Sequence, residues 1–167
     1  LAAAAIQLVC CALFTYAVTF MKIRGRDMLF RLVLFTYMVP TAVTYIPCYI
    51  ILSRMGLLDS YQGLILSNGV SVFGIFLLHQ AFEAVPKETM EAARMDGAGH
   101  LSILTRIIVP MTRPSFMTFI LLSFINTYNS YMWPSLITDS PNLSLISQGL
   151  RRFLYEGGAY GTQWSLV

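Results

Sequence analysis

Charge is what this sequence has least of: 11% of its 167 residues are Asp, Glu, Lys or Arg, against about a quarter in soluble domains. With 56% hydrophobic residues and a mean hydropathy of +0.65, so little charge excludes a soluble globular domain. Cysteine is also sparse. Cys10 and Cys11 are adjacent and Cys48 stands apart, a spacing that supplies neither a disulfide framework nor a metal site and reads as small packing residues. There is no Gly-x-x-x-x-Gly-Lys-Ser/Thr segment and no Gly-Lys pair, so the chain cannot hold a nucleotide by that loop. A His-Glu-x-x-His motif is missing too. His79 and Glu83 lie four apart with His100 elsewhere. A membrane-embedded metal-dependent hydrolase is therefore only an alternative, since zinc takes three or four ligands.

What the chain has in quantity is uncharged sequence. Residues 1–21, 32–53, 60–82 and 114–138 carry no charge, and each matches or exceeds the ~20 residues a helix needs to cross a bilayer. The expected class is an all-α multispanning membrane protein. A further span is expected to start at about 164. Leu1 stands where an initiator Met would, with no basic stretch before the first run, which reads as a span cut short rather than a cleaved signal peptide. Lys22, Arg24, Arg26 and Arg31 follow the first run, and Lys87, Arg94, Arg106 and Arg113 separate the third from the fourth. The positive-inside bias then puts 22–31 and 83–113 in the cytoplasm and 139–163 in an outer loop. These segments account for the net charge of +3. Because the basic residues sit beside spans rather than along one soluble face, nucleic acid is not the expected partner.

The spans carry irregularities. Pro40 and Pro47 each remove a backbone donor from the second and favour a kink, while Ser67, Asn68, Gly69, Ser71 and Gly74 polarise the third; irregular backbone at membrane depth needs protein or water beside it. Thr41, Thr44 and Cys48 share a helical face, either lining a passage or admitting a neighbouring helix. In the fourth span Asn126, Asn129, Ser130 and Trp133 recur at three and four residues, with Tyr128 and Tyr131 interleaved. Amides that donate to and accept from hydroxyls, beside an aromatic ring, suit a polar solute such as a sugar. An interfacial aromatic belt with interhelical hydrogen bonds is the competing reading.

The longest polar segment, 83–113, reads as two short helices. Pro86 opens the first, Gly97 closes it as a left-handed C-cap, and Pro110 ends the second. Met90 and Ala93 offer an apolar patch on the first, and Leu101, Leu104 and Ile108 form a stripe on the second. Helices this short need tertiary or partner contacts. Small Ala92 and Ala93, with a turn at Gly97 and Gly99, suit docking into a partner's groove.

Glu91-Ala92-Ala93, Asp96-Gly97-Ala98 and Ile107 to Pro110 resemble the EAA loop of ABC-importer permeases. The segments 54–61, Val85-Pro86, Arg113-Pro114 and 128–134 resemble the maltose-type, carbohydrate-uptake branch. The resemblance spans nearly the whole chain. It implies the type I ABC-importer permease fold, with a six-helix core of which this sequence would lack the first helix and most of the last. It also implies that Glu91, Ala92, Ala93, Asp96 and Gly97 dock on a dimer of ATPase subunits. No cofactor is expected in this chain; ATP and Mg would be bound by those partners. The other implied partners are a second permease, with a heterodimer favoured, an extracytoplasmic solute-binding protein, a sugar or polyol solute, and the lipid of a bacterial inner membrane. A permease for a non-sugar solute and a passive channel or scaffold are the alternatives.

Overall fold

The computed structural model describes residues 2–140, Leu143 and Gly149, so the expected outer loop lies almost wholly outside the described residues and the expected start at 164 lies entirely outside them. Among the described residues the chain is helical: α1 (Ala2–Phe20), α2 (Arg26–Thr36), α3 (Thr41–Arg54), α4 (Tyr61–Ser67), α5 (Val72–Glu83), α6 (Lys87–Met95), α7 (His100–Ile103), a π-helical turn (Leu104–Ile108), α8 (Val109–Met111), α9 (Arg113–Asn129) and α10 (Met132–Ile137). One helix, α1, is by itself long and apolar enough to span a membrane. Three bent pairs qualify when each is taken together: α2 with α3 (102°), α4 with α5 (48°), and His100–Met111 with α9 (86°).

The uncharged runs are thus not single rods. A proline ring clashes with the carbonyl four residues earlier in an α-helix and brings no N–H, and the breaks follow that rule. Pro40 faces Thr36, where α2 stops. Pro134 faces Ser130, whose extended backbone (φ −69°, ψ 118°) divides 114–138 into α9 and α10. Pro110 does not end its helix, because Arg106, four residues before it, sits in a wider π turn and helical backbone continues to Met111. Pro47 stays inside α3. The break between α4 and α5 has a different cause. The Asn68 side chain donates to the Leu64 carbonyl (2.9 Å), competing with the backbone ladder, and Ser71 restarts the helix by accepting from the Gly74 N–H (3.1 Å).

Two apolar clusters hold these pieces. The larger joins α1, α5, α6, α7, the π turn and α9 through Cys11, Tyr16, Ile75, Leu78, Phe82, Met90, Ile103, Ile108, Phe116 and Phe119. Helices α1 and α5 run parallel, since the Thr15 hydroxyl reaches the Ile75 carbonyl and the Cys11 thiol that of Ser71. Helix α9 runs against them, Phe119 packing at Gly74 and Phe116 at Phe82. The two basic segments therefore fall at the same end of the molecule. The smaller cluster, Leu52, Trp133 and Ile137 with Tyr45, Cys48, Leu57, Leu58 and Leu64, joins α3, α4 and α10. The cysteines are free: Cys11 is buried, Cys48 half-buried and Cys10 exposed. Outward faces carry Phe35, Met38, Val43, Ile46, Met117 and Leu121, a surface suited to lipid or another subunit rather than to water.

Between two helices in lipid, close packing replaces the hydrophobic effect as the source of affinity. A Cβ on Gly74 would lie 2.3 Å from the Phe119 ring, itself enclosed at 2% exposure. Gly74→Ala is accordingly expected to cost about 1–3 kcal/mol, read as a lower thermal midpoint of the detergent-solubilised protein; an unchanged midpoint would mean that the ring can retreat.

Candidate functional site

The surface turn after α6 is built from its backbone outward. The Ala98 N–H returns to the Ala93 carbonyl and the Gly97 N–H to the Arg94 carbonyl, both at 3.0 Å. This doubly bonded C-cap requires a left-handed residue, supplied by Gly97 at φ +77°. Met90 (3%) and Ala93 (8%) face the core, leaving Glu91, Ala92, Asp96 and Gly97 exposed on the other side. Of the five expected docking residues, four form one outward surface and Ala93 holds it to the molecule.

Two apolar residues join that exposed surface without having been anticipated there. Met95 is 87% exposed and Leu101 67%. Met95 lies one helical turn after Glu91, a spacing that was legible. Leu101 was expected in the buried stripe, whereas the core takes Ile103, Leu104 and Ile108. The π turn explains the change, because its five-residue spacing aligns Ile103 with Ile108. Arg94 donates to the Phe20 carbonyl (3.1 Å) at the end of α1, where a cation complements the helix dipole.

The polar face expected on the fourth span is divided by the Ser130–Tyr131 break. Asn126 lines a cleft of about 910 Å³ with Thr36 to Thr41, Thr44, Ser71 to Phe73 and Leu122. It also lines an adjoining cavity of about 150 Å³ with Gln7, Asn68, Ser71, Ser123, Thr127 and Ser130. In the wall of that cavity the Ser123 hydroxyl donates to the Gln7 side-chain carbonyl oxygen. The polar groups on these walls are neutral hydroxyls and amides, set among apolar side chains such as Met38, Val39, Phe73 and Leu122. Asn129 is exposed and lines neither space. Trp133 is turned away: it is 6% exposed, stacks on Tyr45 (5.3 Å, 24°) and donates Nε1–H to the Ser67 hydroxyl (2.9 Å). Its role in the structure is packing. Thr41 and Thr44 face the cleft while Cys48 packs in the smaller cluster, so that expected face is split too.

At the end opposite the turn, Asp59 ties the α3–α4 connection to the chain after α10. Its N–H donates to the Ile137 carbonyl (2.8 Å), and its carboxylate accepts from the Asp139 and Ser140 N–H groups (3.0 and 2.9 Å) and from the Ser140 hydroxyl. The hydroxyl bond, then the Ser140 amide, holds the carboxyl below the ordinary carboxylate value. The histidines and Glu83 do not converge: His79 Nδ1 lies 3.7 Å from Glu83 Oε2 under the Phe30 ring, whereas His100 meets Tyr16.

Residues 9–165 match the family described as binding-protein-dependent transport system inner membrane component. The sn-glycerol-3-phosphate transport system permease protein UgpE of Yersinia pestis bv. Antiqua (strain Antiqua) is 34% identical over 152 residues, 91% of this chain and 54% of that protein. UgpE of Brucella abortus (strain 2308) is 32% identical over the same length, with the same shares covered. A solved bacterial ABC transporter involved in the import of the acidic polysaccharide alginate superposes with a TM-score of 0.86 at 27% identity, covering 93% of this chain and 55% of that one. The chain thus spans about half the length of the relatives it matches.

A Cβ on Gly97 would meet nothing within 4 Å, so a substitution there acts through the backbone. Gly97→Ala is expected to cost about 1–2 kcal/mol in the left-handed region, with Gly97→Asn milder; equal thermal midpoints for wild type and Gly97→Ala would show that the turn relaxes.

Proposed function

The chain belongs to the family of binding-protein-dependent transport system inner membrane components, and from that membership we propose that it forms part of the permease of an ATP-driven importer in a bacterial cytoplasmic membrane. The observation that carries the reading is the exposed turn of Glu91, Ala92, Asp96 and Gly97, held from behind by Met90 and Ala93. A rigid outward surface of this kind, at the end that collects the basic residues, suits a cytoplasmic ATPase dimer. Met95 and Leu101 extend the surface offered. ATP and Mg²⁺ are bound by those partners, and their closure displaces the turn.

The solute crosses beside Asn126 and Ser130, between this chain and a second permease that differs from it. Neutral hydroxyls and amides among apolar walls match a sugar or polyol delivered by an extracytoplasmic binding protein. The protein is a transporter subunit and not an enzyme. Solute-loaded binding protein outside and ATP inside bias one conformational equilibrium, which requires each to bind its two states with different affinity. Asp59 anchors the start of the segment 139–163, which is suited to face the binding protein.

The coupling assignment is tested by purifying the whole protein from native membranes as wild type and as the Glu91→Arg, Gly97→Arg double variant. An ATPase and a second permease are expected with wild type, the ATPase being lost from the variant. Wild type that brings no ATPase would favour a passive channel or scaffold. For the path, Asn126→Ala is expected to lower solute uptake by cells without lowering membrane insertion, whereas unchanged uptake would leave Asn126 a packing role.

A further inference from the structure

Resting on the reading of 91–97 as the ATPase-docking turn, we propose that Tyr16 is the positioning residue through which that turn moves α1. Tyr16 is 4% exposed, and its hydroxyl is hydrogen bonded to His100 Nδ1 at 3.0 Å across 84 residues of sequence. The Arg94 guanidinium donates to the Phe20 carbonyl at the end of the same helix (3.1 Å). Arg94 and His100 stand on either side of the turn 96–99, so α1 fastens one end of it through the Phe20 carbonyl and the other through the Tyr16 hydroxyl.

Behind the hydroxyl, the Tyr16 ring packs on Phe20 (5.5 Å), Phe20 on Phe82 (6.1 Å), and Phe82 on Phe116 (6.1 Å). Displacement of the turn is thereby shared with α5 and α9. In the other direction α1 is the one helix that alone spans a membrane among the described residues. The nine residues from Tyr16 back to Gln7 rise ~14 Å without a break, and Gln7 lines the polar cavity beside Asn126. A continuous rod joins the turn to the cavity, whereas the other candidate spans bend on the way.

The test uses the whole protein, with its copurifying ATPase and second permease, in lipid nanodiscs. Asn126→Cys, in a background of Cys10→Ala, Cys11→Ala and Cys48→Ala, reports the cavity through its rate of maleimide labelling with and without ATP and Mg²⁺. Tyr16→Phe keeps the ring and removes only the hydroxyl. It is expected to reduce the ATP-dependent change in labelling by about fivefold, the factor to which the typical worth of one hydrogen bond converts, with ATPase copurification and the KM for ATP unchanged. His100→Leu is expected to match it, His100→Gln to retain most of the response because its side-chain amide can either accept from or donate to the hydroxyl, and the Tyr16→Phe, His100→Leu pair to be no worse than either. A full response from Tyr16→Phe, additive losses in the pair, or loss of the ATPase from Tyr16→Phe would each overturn the proposal. If the reporter with native Tyr16 brings no ATPase or shows no ATP response, the docking reading itself fails and this inference falls with it.

Discussion

A proline ring crowds the α-helical carbonyl four residues before it and brings no N–H, and much of the shape of this molecule follows from where that conflict breaks the helix rather than, as at Pro47, being absorbed within it. Thr36 before Pro40 and Ser130 before Pro134 leave the helix, while the stretch before Pro110 widens into a π turn. In lipid a freed carbonyl or amide has no water to turn to, so every break must be enclosed by protein or line a polar space. Three of the breaks do the latter, while the bend at Thr112 is enclosed by protein. Pro40 and Ser130 border the cleft and its adjoining cavity, together with Ser71 at the capped break between α4 and α5.

The two apolar clusters lie on either side of that polar level. One packs the chain around the end that bears the surface turn, and the other, built on Trp133, joins α3, α4 and α10 near the Asp59 tie. Two apolar clusters with broken helices between them are an arrangement that domain shear or hinge closure can use. The proposed transport cycle fits this division, with the turn at one end, the segment after α10 at the other, and α1 running between.

The turn illustrates how a rigid surface is made from weak elements. Helix α6 has nine residues, too few to persist alone in water. It is held by Met90 and Ala93 in the core, closed by Gly97 in the left-handed region, and fastened to α1 by Arg94. Each contact faces inward, which frees Glu91, Ala92, Met95 and Asp96 for a partner.

Much of this was legible in the sequence because it depends on local chemistry. Uncharged runs, basic ends, the Gly97 cap and the apolar patch of Met90 and Ala93 follow from transfer energetics, backbone sterics and helical spacing, whereas the burial of Ala93 away from the expected docking surface does not. The family resemblance rested on the same short segments. Four things were decided by tertiary structure: the bend at each break, the burial of Ile103 in place of Leu101, the turning of Trp133 away from the cleft, and the meeting of Tyr16 with His100. Helical spacing predicts a face only while the helix continues, and a π turn or an extended residue rotates everything after it. The partner of a hydroxyl 84 residues distant is set by how helices pack, which no local pattern encodes.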